Sequence, residues 1–391
     1  MILTQCAVCA TELGLSSGKK CGRCSTRYCG AACQEQHWRE GGHDKLCKKI
    51  KKAGGAEQYN ANMKYVEAVA VAAEACADDT KGQTCFICTQ AIHWKTKEGL
   101  VRGCSCRGTA GFAHVSCLVE QAKILFAEAE ENNLGPKVKH ERFKRWEKCS
   151  LCEQEYHGVV RCALGWACWK TYVGRPETDP ARRQAMSALG NGLYASGHYA
   201  DALSMQEAEL SRMRRLGLLE QHLLIAQGNL AITYQMLGRF EEANRIKRDV
   251  YSGFLKLKGE EDHYTIRAAN NYAWGLYELE RFEEVKSLLR KAIPAARRVF
   301  GESHNITLRM RWSYARALYH DDDATLDDVR EAVTTLEDTA RIARRVFGGA
   351  HPDVVGIEDS LRKARAMLCA GEGLNSIREA MAAMPPPGSS A

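Results

Sequence analysis

The chain has 391 residues, with 55 Lys plus Arg against 48 Asp plus Glu, and 18 Cys. Hydrophobic residues make up 45% and charged residues 26%, which excludes a disordered chain and fits two or three globular domains. The most apolar stretch, Tyr65 to Ala77, is short and holds Glu67 and Glu74, so no bilayer span is expected there.

The start, MILTQCAVCATELG, has no basic region followed by an apolar one, so a cytoplasmic or nuclear protein is expected. In a reducing compartment dense cysteine points to metal before disulfide. Seventeen of the cysteines lie at or before Cys168, and only Cys369 follows. Residues 1–180 carry 26 basic and 20 acidic side chains. If fourteen of the cysteines bind four Zn2+ ions as thiolates, those sites cancel this excess, so nucleic acid is not an expected partner.

Residues 6–47 read Cys6-x2-Cys9, Cys21-x2-Cys24, Cys29-x3-Cys33 and His43-x3-Cys47. A Cys-x2-Cys turn can aim two sulfurs at one ion, and residues four apart on a helix share a face. Four pairs make two closed tetrahedral sites, and spacing alone allows three ways of matching the pairs. His37 is a rival ligand, but His43 stands four before Cys47. About 45 residues cannot bury enough apolar surface to fold alone, so the metal supplies folding energy. With Tyr28-Cys29, Cys33-Gln34 and Trp38, this segment resembles a MYND-type zinc finger. The resemblance implies Cys6, Cys9, Cys29 and Cys33 on one zinc, and Cys21, Cys24, His43 and Cys47 on the other. It also implies binding of short, often proline-containing peptides.

A Lys/Gly-rich joint, Lys48 to Gly55, leads to a predicted helix over 56–77. Residues 85–152 then read Cys85-x2-Cys88, Cys104-x-Cys106, His114-x2-Cys117 and Cys149-x2-Cys152. The C4HC3 order with these gaps resembles a RING-CH (RINGv) finger. The family cross-brace implies Cys85, Cys88, His114 and Cys117 on one ion, and Cys104, Cys106, Cys149 and Cys152 on the other. Leu118 to Arg145 is rich in Ala, Glu and Lys and is predicted helical. Ile87 fits the apolar groove on which RING ligases dock a ubiquitin-conjugating enzyme. The Trp usual in the following helix is absent, with Gln121 and Ala122 in that region, and Glu153 stands where a basic residue often follows the last ligand. Cys76, Cys162, Cys168 and Cys369 read as small buried hydrophobes. Trp166, Trp169 and Tyr172 read as helical core.

After a second joint, Arg175 to Pro180, the chain repeats. Gly197-His-Tyr-Ala-Asp-Ala202 matches Gly238-Arg-Phe-Glu-Glu-Ala243 and Glu280-Arg-Phe-Glu-Glu-Val285, and Arg297-Arg-Val-Phe-Gly301 recurs as Arg344-Arg-Val-Phe-Gly348. His222, His263, His304 and His351 open successive units. Small residues at Gly190, Ala231, Ala273 and Ala315 mark close helix approaches, and Tyr199, Phe240 and Phe282 are placed to fill the gap to the next helix. Such periods mean a stacked helical solenoid. Residues 181–370 resemble tetratricopeptide repeats of the kinesin-light-chain type. That resemblance implies that Asn229 and Asn271 grip the backbone of a bound peptide.

The fold class expected is mainly α, with two small cross-brace zinc modules followed by an α-helical tetratricopeptide-type solenoid. The divisions are 1–50 (MYND-type finger), 51–80 (helical linker), 81–160 (RING-CH-like finger), 161–180 (capping helix and linker), 181–370 (repeats) and 371–391 (tail, with Pro385 to Ala391 disordered by composition). No nucleophile elbow, P-loop or dinucleotide fingerprint is present. The expected function is a zinc-dependent interaction scaffold that binds peptides of partner proteins, with four Zn2+ ions and no catalytic residue. The competing reading is a RING-CH-type E3 ubiquitin ligase that selects substrates through its other modules.

Overall fold

The computed structural model describes residues 6–11, 13, 18–349 and 351–382. The disorder expected for Pro385 to Ala391 lies outside the described residues. The chain divides into two compact units, Met1–Leu237 and Gly238–Ala391. Among the described residues no helix is long and apolar enough to cross a membrane.

The first unit opens with a two-residue hairpin, β1 (Lys19–Lys20) and β2 (Arg27–Tyr28), in antiparallel register. Helices α1 (Ala31–Arg39) and α2 (His43–Lys52) follow. Their small core holds Leu13, Tyr28, Ile50, Ala56 and four buried cysteines, too little to fold by burial alone.

Helix α3 (Ala56–Ala75) starts where the Ala56 N–H donates to the Cys24 carbonyl. After a long loop come α4 (Val115–Glu131), α5 (Pro136–Phe143) and a 3-10 turn (Lys144–Trp146). The predicted helical insert is therefore two helices and part of the core, since Ala122, Phe126, Phe143 and Trp146 are buried together with α6 (Gly158–Tyr172). Trp166, Trp169 and Tyr172 sit in this core. Of the four unpaired cysteines, Cys162 and Cys168 are buried and Cys76 is half-buried. Cys369 is exposed instead, because it lies on the last described helix, with none following to cover its outer face.

Helices α7 (Pro180–Ala195), α8 (Tyr199–Arg215) and α9 (Glu220–Met236) begin the repeats. The Asp179 side chain caps α7 by accepting from the Ala181 N–H at 2.7 Å. The joint at Arg175–Pro180 is a turn between packed helices, because α6 and α7 approach backbone to backbone. A Cβ on Gly192 would stand 2.8 Å from the Arg161 carbonyl, and one on Gly165 would stand 3.0 Å from the Ala188 carbonyl. Ala163, Leu164, Ala185 and Leu189 are buried at this junction. Helix α6 is thus shared by the second finger and the first repeat, a link that the two prolines hide in the sequence.

The second unit holds α10 (Phe240–Lys258), α11 (His263–Glu278), α12 (Phe282–Phe300), α13 (Asn305–His320), α14 (Leu326–Phe347) and α15 (Pro352–Ala382). One core runs through it, with Leu276, Leu289, Leu308, Leu318 and Leu336 fully buried. Ala273 and Ala315 have no exposed surface. The recurring motifs acquire distinct physical jobs. Gly259, Gly301 and Gly348 have φ of +82°, +86° and +81° with ψ between 155° and 179°, a region open essentially to glycine alone. Two of the recurring histidines cap helices: His304 Nδ1 accepts from the Ile306 N–H, and His351 Nδ1 from the Asp353 N–H. Their rings stack on Phe300 and Phe347, the aromatics of the Arg-Arg-Val-Phe-Gly repeat. Phe282 packs on Tyr277 and Tyr199 on Tyr194, but Phe240 is exposed. Helix α15 runs to Ala382, well into the segment assigned to the tail.

Two outcomes follow for the first unit. Gly192→Val puts three carbons against the α6 backbone and is expected to lower unfolding stability by about 2 kcal/mol or more, read in a urea melt. Buried Glu209 accepts from the Ser187 hydroxyl, and burial raises its carboxyl to about 7 against an ordinary 4.5, with Ser187, Arg212 and Arg183 opposing. A raised carboxyl contributes stability below its unfolded pKa, and that stability is lost as pH rises through 7. Glu209→Gln should therefore match wild type at pH 5 and be more stable at pH 8, by up to about 3 kcal/mol; equal stabilities at pH 8 would contradict the buried charge.

Candidate metal centres

Among the described residues, four clusters of four side chains gather in the first unit, with the potential ligand atoms of each within 4.8 Å of one another: Cys6, Cys9, Cys29, Cys33; Cys21, Cys24, His43, Cys47; Cys85, Cys88, His114, Cys117; Cys104, Cys106, Cys149, Cys152. His37 is in none of them; its Nδ1 meets the Tyr28 hydroxyl at 3.1 Å instead.

The positioning starts from backbone. Every Cys-x2-Cys element folds the same turn. The N–H of Cys6, Cys21, Cys85 and Cys149 donates to the carbonyl of Thr11, Thr26, Gln90 and Gln154, at 2.8 to 3.0 Å. The residue after the second cysteine then donates back to the first cysteine's carbonyl: Ala10, Ser25, Thr89 and Glu153. These four non-glycine residues have φ of +56°, +62°, +63° and +57°, a left-handed conformation that costs roughly 1–2 kcal/mol each. Ile87 N–H and Leu151 N–H point at the sulfurs of Cys85 and Cys149, both at 3.4 Å.

The partner pairs come from helix starts. His43 and Cys47 lie one turn apart on α2, as the spacing predicts. Cys29 instead precedes α1, so only Cys33 is helical there, and His114 is the residue before α4. The Cys104-x-Cys106 pair closes over Gly111, at φ +84°, where a Cβ would stand 2.6 Å from the Cys106 Cβ.

The donor set fits a tetrahedral thiophilic dication such as zinc. With metal–sulfur bonds of ~2.3 Å, ligand sulfurs sit ~3.8 Å apart. Cys21 and Cys47 sulfurs are 3.9 Å apart, Cys106 and Cys149 3.8 Å, Cys9 and Cys29 3.5 Å. His43 presents Nε2 at 3.4 Å from Cys24, whereas His114 presents Nδ1 at 3.3 Å from Cys88 and turns Nε2 to the Ala91 carbonyl, an arrangement that fixes the tautomer. A tetrahedral ion held by any one cluster would have its four positions filled by these side chains.

Without a cation these thiols oppose one another. Burial pushes Cys6 up, but the N–H groups of Cys9, Cys29 and Val8 outweigh it and hold the thiol at about 6. Cys33, hydrogen-bonded to Cys29 and Cys9, is pushed up to about 12. Burial pushes Cys152 up, but the Gln154 N–H and the Cys106 thiol outweigh it and hold it at about 7, while burial and its neighbours push Cys106 far up. One thiolate forms readily and the next ones do not, which is the charge pattern a dication relieves.

Glu98 is a residue that sequence reasoning misses. Its carboxylate accepts the Ser116 N–H at 2.6 Å and the Ser116 hydroxyl at 2.9 Å, capping α4 beside His114. No local motif marks it, because it lies 18 residues upstream. Ile87 is partly exposed in a groove of about 790 Å³ with Trp94, Val119 and Ile124. Trp94 is 68% exposed and supplies an indole that α4 lacks. Glu153 forms a two-point pair with Arg145, both contacts at 2.9 Å. A guanidinium thus does stand beside the last ligand, already neutralised.

In the repeats Asn229 is exposed on α9, and its carbonyl receives the Thr233 hydroxyl. In the second unit Asn271 is half-buried on α11, where its Oδ1 accepts from Asn270 at 3.5 Å. One turn on, Trp274 joins Tyr277 and Trp312 around the Arg316 guanidinium, at 5.5, 4.0 and 5.7 Å from the ring centres.

Comparison with known proteins agrees with two of these regions. The MYND finger model matches residues 6–47, and the tetratricopeptide repeat model matches residues 223–298. No curated protein matches the chain. Among solved structures, BtubC (BKLC) from P. vanneervenii is similar at 18% identity and a TM-score of 0.43, covering 71% of this chain and 96% of that one. The kinesin-light-chain TPR-like repeats from Podosopora anserina are similar at 19% identity and a TM-score of 0.39, covering 60% and 98%. A point variant of those repeats covers 59% and 97% at 18% identity, with a TM-score of 0.39.

The left-handed turns can be tested at Thr89, whose β-branch is poorly suited to φ +63°. Thr89→Gly is expected to keep full metal content and raise the melting temperature, by about 1 kcal/mol of stability. Thr89→Pro cannot adopt the turn or donate to Cys85, and should lower the bound metal measured on denatured protein.

Proposed function

We propose that this chain is an adaptor that holds two zinc-built modules and a repeat solenoid as separate peptide-binding surfaces, with one Zn2+ ion in each of the four clusters. The observation that carries this reading is the closed donor set: sixteen ligands in four groups of four, with no open coordination position where chemistry could occur. A MYND finger and tetratricopeptide repeats support a zinc-binding protein-interaction adaptor. The ligands are those named for each cluster, and cytoplasm or nucleus is the expected setting.

In the second unit, Arg316 is a cation held among aromatic rings, one of which, Trp274, lies one turn from Asn271 on α11; such a cation and amide would suit a peptide's carboxylate and backbone. Asn229 would serve the same backbone role on α9. The MYND finger would take short proline-containing peptides.

A second reading has its own observation. The groove of Ile87 and Trp94 resembles the place where RING-CH ligases receive a ubiquitin-conjugating enzyme, and residues 81–160 follow that family's ligand order. Such a ligase would need no nucleophile of its own.

The readings separate in a panel of ubiquitin-conjugating enzymes and a peptide array, both run on the zinc-loaded full chain. The adaptor captures peptides, loses a subset in Arg316→Ala, and transfers no ubiquitin. Transfer that falls about tenfold in Ile87→Ala, equivalent to ~1.4 kcal/mol of docking, would replace the adaptor by the ligase. Elemental analysis is expected to find four zinc ions.

A further inference from the structure

The charge on the first finger is unevenly spent. Residues 18–55 carry ten basic side chains and three acidic ones. One of the acidic groups, Glu35, is held by Arg39 at 2.6 Å. Lys45, Lys48, Lys49, Lys51 and Lys52 are exposed on α2, and Lys19, Lys20 and Arg23 are exposed around the Cys21 turn. None of these eight makes an ion pair among the described residues. Several other helices pair cations one turn apart, as in Arg239–Glu242, Arg281–Glu284 and Arg330–Asp327.

The spacing is directional. Lys45, Lys48, Lys49 and Lys52 fall at i, i+3, i+4 and i+7, one stripe of a helix whose opposite stripe, His43, Cys47 and Ile50, is buried. The stripe spans ~10 Å of helix axis. The Cys21–Cys47 contact at 3.9 Å ties the turn bearing Lys20 and Arg23 to the same helix. Helix stability does not account for the pattern: lysines complement the dipole in the last turn, but Lys45 sits in the first, where a cation is unfavourable. The thiolates of the two clusters remove part of the excess, yet seven thiolates against two dications leave the module positive. The chain-wide balance that argued against nucleic acid averages over this patch.

We infer that the exposed stripe of α2, with Lys19, Lys20 and Arg23, is a docking strip for the phosphate backbone of nucleic acid, without base preference. Lysines make point-charge contacts that suit closely spaced phosphates. A membrane surface fits less well, because an interfacial helix needs a free apolar face, and that of α2 is committed to the metal cluster. Lysine point charges engage phosphates, which carry no sequence information, so no base preference is expected.

The test uses the zinc-loaded full chain, fluorescence anisotropy, and mixed-sequence DNA of about 20 base pairs and RNA of about 20 nucleotides, between about 50 and 200 mM salt. Binding is expected with a steep negative dependence on log salt. In the quadruple variant Lys45→Gln, Lys48→Gln, Lys49→Gln and Lys52→Gln, affinity at about 50 mM salt should fall at least tenfold and the slope should shrink by about 3. Gln preserves helix propensity, and metal content is measured alongside. The quadruple Lys→Arg variant keeps the charge and should bind as wild type, which separates lost charge from lost fold. No binding at about 50 mM salt, an unchanged slope in the Gln variant, or failure of the Arg variant overturns the inference. Polyglutamate or phosphatidylserine vesicles bound as tightly as DNA through the same lysines would also overturn it, in favour of a different acidic partner.

Discussion

Crowded thiols, the first of them in a segment whose core is too small to fold by burial alone, dominate the first third of this molecule. Four sulfurs, or three and an imidazole nitrogen, stand within 4.8 Å, and the first to ionise raises the cost for the next. A dication bound there would turn that repulsion into an attraction that helps fold the segment. Several elements of the first unit are arranged around these groups. The hairpin at Lys19–Tyr28, the entry of α3 through Ala56 and the start of α4 at His114 are all placed by residues in or beside a cluster.

A different physics holds the repeats. There buried alanines such as Ala273 and Ala315 recur in the core, and glycines at φ near +80° end the long helices. Helix α6 joins the two regimes in the first unit. One face packs with the second finger through Val160 and Leu164, and the other meets α7 closely enough that Gly165 and Gly192 have no room for a side chain. The side chains proposed as partner contacts stand beside packed groups: Ile87 and Trp94 next to a cluster, Arg316 between aromatic rings.

Legibility follows from whether a feature is local. The cysteine pairs and the repeat period are encoded in short spacings and can be read directly; spacing leaves the matching of pairs open, and the folded chain groups the pairs alternately. The Glu98 cap of α4, the Gly192–Arg161 approach and the indole of Trp94 in the Ile87 groove join residues that no fixed spacing links, so no local motif reveals them. Cys369 and Phe240 depart from expectation for a related reason: an apolar residue in a helical pattern says nothing about which side its neighbour covers. Proline and charge in Arg175–Pro180 mark a turn, and a turn between packed helices has the same composition as a joint between domains.

The alternation of ligands has a mechanical consequence. In each finger the two clusters overlap along the chain: the first spans Cys6 to Cys33 while the second spans Cys21 to Cys47, and the same holds for Cys85 to Cys117 and Cys104 to Cys152. With an ion in each cluster, tension on the ends of such a segment would load overlapping loops rather than two links in series. Loss of one ion would leave the segment still closed by the other, so bonds at both clusters would have to yield before it opened fully. Such a segment would behave under force as a cross-linked knot of short loops.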